Sequence, residues 1–440
     1  MSEPLTPPPV EPLASWRTLV RSFGALVVGE GFARLFGFVA IVIMARRLDP
    51  DGFGLVTLGA TLVLWFGIVV DSGTEVLNVR DIARAPERFK EIAEPVLGLR
   101  LALSAAAMVL LGGAALLAST RLSDRIVLWL FVLWLPMIAI NLRWMVLGID
   151  KARTVAFANA SGQLVFAAGV ALLVVDVHGT IAVPLLQTAG EAIYALIVLY
   201  AVGRRFGLVR PRVDLERWKA MLSESGPLMA NQIARAAVYS LSFLVVAVFL
   251  GRGDVGFLGA AYKPVLFFVG AMGLFYVSFL SSFSALDAEH QRSLFRKTTL
   301  AAAGITIPLA LAMSAGAGVI VGLVYGDAYA PAALVLAILA WTIPVLALNG
   351  PFSNALIAGH HQRVLMRNNL VGAGVSLVAN FAVVPWAGIA GVAAVAVASE
   401  LLIVILQYRS AVRLGVAPSL QEMLHHERLA APGLAQTHRS

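Results

Sequence analysis

Apolar runs of about twenty residues follow one another along almost the whole chain, and they constrain this sequence more than any other feature. A bilayer core about 30 Å thick takes about 20 apolar residues wound as a helix. Twelve segments reach that length, at approximately 22–46, 53–78, 93–118, 124–148, 155–177, 179–203, 223–250, 256–284, 298–325, 329–358, 364–386 and 388–413. Charged or turn-forming stretches such as RRLDPDG, RAPERFKE, GIDKAR and AGHHQR separate them, and the tightest junctions fall near His178 and Trp386. Hydrophobic residues make up 59% of the 440 and charged residues 13%. A soluble domain carries about 45–50% and about 25%, so the surplus needs lipid outside the protein. The ten-residue alternation of an outer-membrane barrel is missing. The expected fold class is an all-α polytopic membrane protein with twelve transmembrane helices.

Lysine and arginine placement predicts orientation, because cytoplasmic loops hold the excess. With the N-terminus inside, the inner loops carry Arg80, Arg84, Arg88, Lys90, Lys151, Arg153, Arg292, Arg296, Lys297, Arg363 and Arg367, besides the basic central stretch RRFGLVRPRVDLERWKA. The outer loops carry only Arg46, Arg47, Arg121, Arg125 and Arg252. Both termini are therefore expected in the cytoplasm. The net charge of +8 reads as a topology signal spread over short loops, not as a nucleic-acid surface. The chain has no cysteine, hence no disulfide framework or thiolate metal site. Its proline-rich, acidic start lacks the basic head of a signal peptide.

The hexamer PMIAIN at 136–141 returns as PVLALN at 344–349. GTIAVPLLQTAGE, from Gly179 to Glu191, is echoed by GIAGVAAVAVASE, from Gly388 to Glu400, with Gly, Val and Glu at equal offsets. Ala33-Arg34 matches Ala234-Arg235. These pairs fall in equivalent segments of two halves. An even helix number per half implies parallel repeats about an axis along the membrane normal, a plan used by secondary transporters. The predicted organisation is a disordered cytoplasmic tail at 1–16, a six-helix lobe at 17–205, a linker at 206–222, a second six-helix lobe at 223–414 and a tail at 415–440, with a central cleft between the lobes.

Charges inside apolar segments are the candidate functional residues. A basic side chain at a helix centre costs about 2.5–3.5 kcal/mol on insertion scales, and such residues face a bundle interior or a wet cavity. Arg34, Arg235, Arg100, Arg143 and Lys263 are predicted to line a cationic substrate path. Glu30, Asp71, Glu191 and Glu400 are candidates for ion coupling or gating, since a buried carboxylate can carry a proton. A purely structural reading stands beside this. Glu30 and Arg34 pair along one helix face at i,i+4 spacing, Arg143 snorkels, and Glu191 and Glu400 hydrogen-bond neighbouring helices. Pro136 and Pro344, with Pro184, Pro264, Pro308 and Pro351, are expected to kink their helices and to offer bending points.

No Gly-Lys dipeptide occurs, so no P-loop lysine is present and ATP hydrolysis is not expected. Asp49-Pro50-Asp51 has the Asp-x-Asp form of a metal-using glycosyltransferase, but no outer loop is long enough to wall an active site. His360-His361 and His425-His426 lack partners at metal-ligand spacing. Neither a metal nor a cofactor is expected.

The stretch ARLFGFVAIVIMARRLDPDGFGLVTLGATLVLWFGIVVDSGTEVLNVRDIAR resembles the opening of the polysaccharide flippase family, in the multidrug/oligosaccharidyl-lipid/polysaccharide exporter superfamily. That family has an Arg-bearing helix, an R-x-L-G-P-x-x-Y-G turn and a D-x-G element. Here Asp49 replaces the usual Gly and Phe53 the usual Tyr. VFLGRGDVGFLGAAYKP, LVYGDAYAPAALVLAIL and NFAVVPWAGIAGVAAVAVASE resemble later family elements in order. Tyr239 stands where the family often has an Asp. The resemblance implies a bacterial inner-membrane flippase moving undecaprenyl-pyrophosphate-linked oligosaccharide to the outer leaflet for O-antigen, capsule or exopolysaccharide assembly. It also implies a proton or sodium gradient as energy source and polymerase or other assembly proteins as partners. Arg34 and Arg235 would meet the pyrophosphate. A drug exporter of the same superfamily predicts a more acidic cavity, and a peptidoglycan-precursor flippase predicts further helices.

Overall fold

The computed structural model describes residues 16–118, 121–149, 152–283 and 288–419. The two expected tails lie almost wholly outside these, as do Lys151 and the His425-His426 pair. Sixteen α-helices follow in order: α1 (Trp16–Arg47), α2 (Pro50–Asp71), α3 (Thr74–Arg84), α4 (Phe89–Ala118), α5 (Leu122–Val132), α6 (Trp134–Ile140), α7 (Arg143–Gly148), α8 (Ala152–Leu173), α9 (Ala182–Phe206), α10 (Leu215–Phe249), α11 (Arg252–Phe283), α12 (Ala288–Ala315), α13 (Ala317–Val324), α14 (Ala332–Leu339), α15 (Thr342–Ala358) and α16 (Gln362–Arg413). Among the described residues there is no strand. Nine stretches among them are long and apolar enough to cross a membrane.

Local chemistry explains where the segments start and break. Asp49 caps α2 by accepting from the Gly52 N–H at 2.6 Å, with Pro50 in the first turn where its missing donor costs nothing. At the other end Ser72 (φ 52°) and Gly73 (φ 68°) are both left-handed, and the chain turns sharply into α3. The segment expected at 124–148 is broken twice, at Leu133 and at Asn141–Leu142, and that at 329–358 is broken at Ala340–Trp341. The breaks at 133 and 341 each lie three residues before the proline of the repeated hexamer, where a missing N–H and ring crowding disrupt the preceding turn. Pro136 and Pro344 therefore each sit just after a break in the helical run. Pro184 interrupts no helix: it sits in the first turn of α9, where no helical hydrogen bond is lost. Pro264, Pro308 and Pro351 lie inside continuous helices. The junction expected near Trp386 is a single residue, Gly388, whose φ of 55° and ψ of −147° join two helical runs within α16. The linker expected at 206–222 is shorter, because α10 starts at Leu215 behind an Asp214 cap.

Helices before the linker pack largely on one another, α1 along α8, α8 along α9, and α2 and α6 against α4. Those after it do likewise, α10 and α15 along α16, α12 against α15 and α11 against α14. The two sets meet where α2 lies along α11. A Cβ on Gly54 would strike the carbonyl oxygen of Arg252, and one on Gly256 would strike that of Pro50. The contact is reciprocal, each glycine meeting the residue four before the other, so a local two-fold axis passes between them. Tyr329 lies edge-on to Phe53 and Phe257, at 6.0 Å from each, and seals the crossing.

Gly256→Val should force α2 and α11 apart at a backbone contact, which cannot yield as a side chain would. The expected cost is about 1–3 kcal/mol, read as a lower thermal unfolding midpoint in detergent. Gly318→Val, where a Cβ meets open space, should leave the midpoint unchanged. Equal midpoints for the two variants would rule out the crossing.

Candidate functional site

Five charged side chains of the first half, from buried Arg100 to half-exposed Arg143, are joined in one network. Asp71, held at the end of α2 by the turn described above, pairs with Arg100 of α4, whose side chain is 3% exposed. Arg100 also reaches the Asn141 carbonyl at 3.4 Å and lies 5.8 Å from the Trp144 ring centroid. Because α6 ends at Asn141, that side chain is released to donate to Glu191 of α9 at 2.9 Å and to accept from the Arg143 N–H at 3.2 Å. Arg143 makes a forked pair with Glu75 of α3, at 2.9 to 3.1 Å. Such forks are strong because two N–H groups meet one planar carboxylate. The structure thus brings Asp71, Arg100, Arg143 and Glu191 together, and adds Glu75 and Asn141.

Arg34 sits on the boundary between the halves. It pairs with Glu30 at 3.2 Å, while Asn159 of α8 donates to Glu30 at 2.9 Å. Its guanidinium lies against Gly270 of α11, where a Cβ would collide with it. Its Nε is buried with no hydrogen-bond partner among the described residues. Four residues before Arg235, Asn231 takes the place of Glu30 and accepts from Asn369 of α16 at 3.1 Å. The same bond is therefore written twice, from an asparagine late in each half to the residue four before its arginine.

Arg235 donates to the Tyr239 hydroxyl at 2.7 Å and lies 5.1 Å from that ring's centroid. It reaches Glu400, 1% exposed, at 3.5 Å. Beyond it runs a ladder of amides: Asn369 bonds Asn231, Gln407 donates to Asn369 at 3.1 Å, and Ser353 donates to Gln407 at 2.6 Å and lies 3.2 Å from the Asn349 side-chain oxygen. These groups line a cavity of about 310 Å³ between α10, α11, α15 and α16. Asn349, Asn369 and Gln407 are its buried floor, while Asn231, Arg235, Tyr239 and Ser353 are partly exposed at its rim. Val269 of α11 closes one side. Arg34 and the cavity that Arg235 lines thus meet adjacent residues of α11.

Four of the five expected path cations are therefore paired with acids, so the excess positive charge expected from counting residues is largely cancelled. Lys263 is the exception: it has no ionic or hydrogen-bond partner among the described residues. Gly256, Gly259, Lys263, Phe267 and Gly270 recur at helical spacing along one face of α11. Gly256 abuts Pro50, Gly259 abuts Thr57, Phe267 packs at a tilt on Phe38 with ring centroids 5.7 Å apart, and Gly270 abuts Arg34. Lys263 consequently lies on the face that α11 turns toward the first half.

Asp49 and Asp51, the Asp-x-Asp candidates, are otherwise engaged. Asp49 is the α2 cap, and Asp51 lies 3.7 Å from Arg252, which also pairs with Asp124 at 2.6 Å. Arg46 donates to the Val324 and Leu323 carbonyls beside them. This end of the crossing is stitched shut across the halves.

The amide ladder and the asparagine pairs escape a charge count. Their signal is subtler, four-residue spacing of polar groups in apolar helices, as in Asn231/Arg235/Tyr239 and Asn349/Ser353.

Arg100→Leu should be strongly destabilising, by about 3–5 kcal/mol, because it strands the Asp71 carboxylate. Adding Asp71→Asn should recover the larger part of the loss in thermal unfolding. Additive losses would mean the pair does not interact.

The fold is shared with known membrane proteins. An inward-facing multidrug resistance MATE family transporter of the MOP superfamily overlays with a TM-score of 0.73 at 14% identity, covering 87% of this chain and 94% of that one. The lipid II flippase MurJ, in an inward closed conformation, also gives 0.73 at 14% identity, covering 91% and 89%. An outward-facing MATE transporter gives 0.53 at 14%, covering 90% and 95%. No curated protein matches the sequence. The polysaccharide biosynthesis protein family matches residues 19–280. That is more than half of the chain, and with the shared fold it makes this protein a member of that family.

Proposed function

We propose that the chain is a flippase that carries an undecaprenyl-pyrophosphate-linked oligosaccharide across the bacterial inner membrane for surface polysaccharide assembly. On this reading twelve helices cross the bilayer, both termini are cytoplasmic, and residues 17–205 and 223–414 act as two lobes in alternating access. The protein is a transporter and not an enzyme, in keeping with the transporters and flippase that share its fold.

The single observation that carries the proposal is Lys263, an unneutralised cation on the α11 face turned toward α1 and α2, on the same face as the Gly270 that Arg34 abuts. A lone ammonium between low-dielectric walls attracts an anion, and a pyrophosphate supplies one while its polyprenyl tail stays in lipid. Lys263, two helical turns along α11 from the Gly270 that Arg34 abuts, is better placed than Arg235, whose charge Glu400 and Tyr239 already engage. The same ammonium opposes a cationic drug. An ion gradient would drive the cycle. Glu400 suits that role best: it is buried, and its Oε2 has no hydrogen-bond partner among the described residues. Arg252 and Arg46 close the outer end, in line with the higher overlay on inward conformations. A polymerase would take the delivered product.

The test is a leaflet-resolved assay of lipid-linked glycan in a deletion strain. Glycan should accumulate on the inner leaflet alone, and the wild-type chain should restore outer-leaflet delivery. Lys263→Ala and Arg34→Ala should fail to restore it at normal expression, whereas Asp49→Ala and Asp51→Ala should succeed. Delivery by Lys263→Ala at wild-type rate would remove the basis of the assignment, and failure of the aspartate variants with metal sensitivity would favour a glycosyltransferase.

A further inference from the structure

The cavity within the second half has a composition that the pyrophosphate does not explain. Its polar lining is amide and hydroxyl: Asn231, Asn349, Ser353, Asn369, Gln407 and Tyr239. The one lining charge, Arg235, is balanced by Glu400 at 3.5 Å, so the site is close to neutral. An anion would have to compete with Glu400 and Tyr239 for the Arg235 guanidinium. A metal ion or organic cation would face the guanidinium, since the carboxylate that balances it is buried behind the wall and 1% exposed. The ligand that suits neutral groups which both donate and accept is an uncharged one rich in hydroxyl or acetamido groups.

We propose that this cavity is a sugar subsite, holding one end of the oligosaccharide while Lys263 and Arg34 hold the diphosphate. The inference rests on the flippase reading and names what its second half recognises. The volume, about 310 Å³, falls at the small end of ligand sites, which suits a terminal sugar or two and not a whole repeat unit. Position supports the division of labour. Val269 walls the cavity, and Gly270, the next residue, abuts Arg34. The sugar site and Arg34 therefore meet adjacent residues of α11, so a single headgroup can touch both. The buried amides are also held by one another, Asn369 to Gln407 and Gln407 to Ser353. A ligand thus meets preorganised groups, and specificity follows because an analogue lacking a matching hydroxyl leaves them unpaired. The first half repeats the Asn-to-helix-1 bond but not the ladder: at the position of Asn231 it has Glu30, bound up with Arg34. The sugar site is a property of one half only.

The test uses the full chain in nanodiscs and two probes: undecaprenyl pyrophosphate, and the same lipid carrying a neutral trisaccharide of hexose and N-acetylhexosamine. Wild type should bind the glycosylated lipid at least about tenfold more tightly, as two or three neutral hydrogen bonds provide. Ser353→Ala at the rim should reduce that preference about threefold, and Gln407→Leu at the floor should nearly abolish it. Lys263→Ala should weaken both lipids alike. The proposal is overturned if wild type binds the two lipids equally, or if both ladder variants, with unchanged unfolding midpoints, keep the full preference. Should Gln407→Leu fold poorly, Ser353→Ala alone decides. Binding of neither lipid by wild type would instead overturn the flippase reading itself, a result distinct from equal binding of both.

Discussion

A charge placed among membrane helices must be met by an opposite charge or by water, and that requirement organises this protein. Moving an ion from water into the low dielectric of a protein interior costs several kcal/mol even after relaxation. Arg100, 3% exposed, is tolerable only because Asp71 stands against it. Asp71 is there because Ser72 and Gly73 take left-handed conformations that end α2 at that residue. Asn141 can join the network because α6 ends at it and leaves its side chain free of the helix surface. Backbone geometry, in this sense, follows the charges.

The halves share a plan but have diverged in chemistry. Both use a proline hexamer after a break, an arginine on their first helix and an asparagine bond to the residue four before it. In the first half the surrounding positions are ionic: Glu30, Asp71, Glu75, Arg100, Arg143 and Glu191. In the second they are mostly amides and hydroxyls, with one ion pair. The helix break explains part of the difference. Asn141 ends a helix and splays outward to two partners, whereas Asn349 stays inside α15 and can serve only its own face, toward Ser353.

The fold was largely legible in the sequence because lipid imposes length and composition on each helix, and because the two hexamers mark the repeat. Arg34, Arg100, Arg143 and Arg235 stood out since a charge in an apolar run has no neutral explanation. Their partners were not legible. Asp71 lies 29 residues from Arg100 and Glu400 lies 165 from Arg235, and counting charges cannot say which meet. A cationic cleft was inferred from the surplus, yet pairing removes most of it and leaves Lys263. Gly54 and Gly256 were hidden for another reason. Small residues abound here, 39 of them glycines, and only backbone approach distinguishes the two that carry the crossing. Proline positions misled at Pro184, where a first-turn location removes the penalty that a mid-helix proline bears.

Lys263 has a consequence for how a substrate could drive such a protein. A ligand shifts a conformational equilibrium only by its differential affinity for the two states. Gly256 brings α11 into backbone contact with α2 and Gly259 sets it against the Thr57 side chain on one side of Lys263, and Gly270 brings it against Arg34 of α1 on the other. Drawing the helices together over the ammonium without an anion would bury an unpaired charge, at a cost of several kcal/mol. On the proposed function, a diphosphate in place would let the same closure bury a neutralised pair, so the empty protein would resist closing around Lys263 and the loaded one would not. Release is favoured where water returns to both ions. The ion pairs of Arg252 with half-exposed Asp51 and with buried Asp124 tie the two halves together at one end of the crossing. On the proposed function, Lys263, without a partner among the described residues, would by itself make closure depend on cargo.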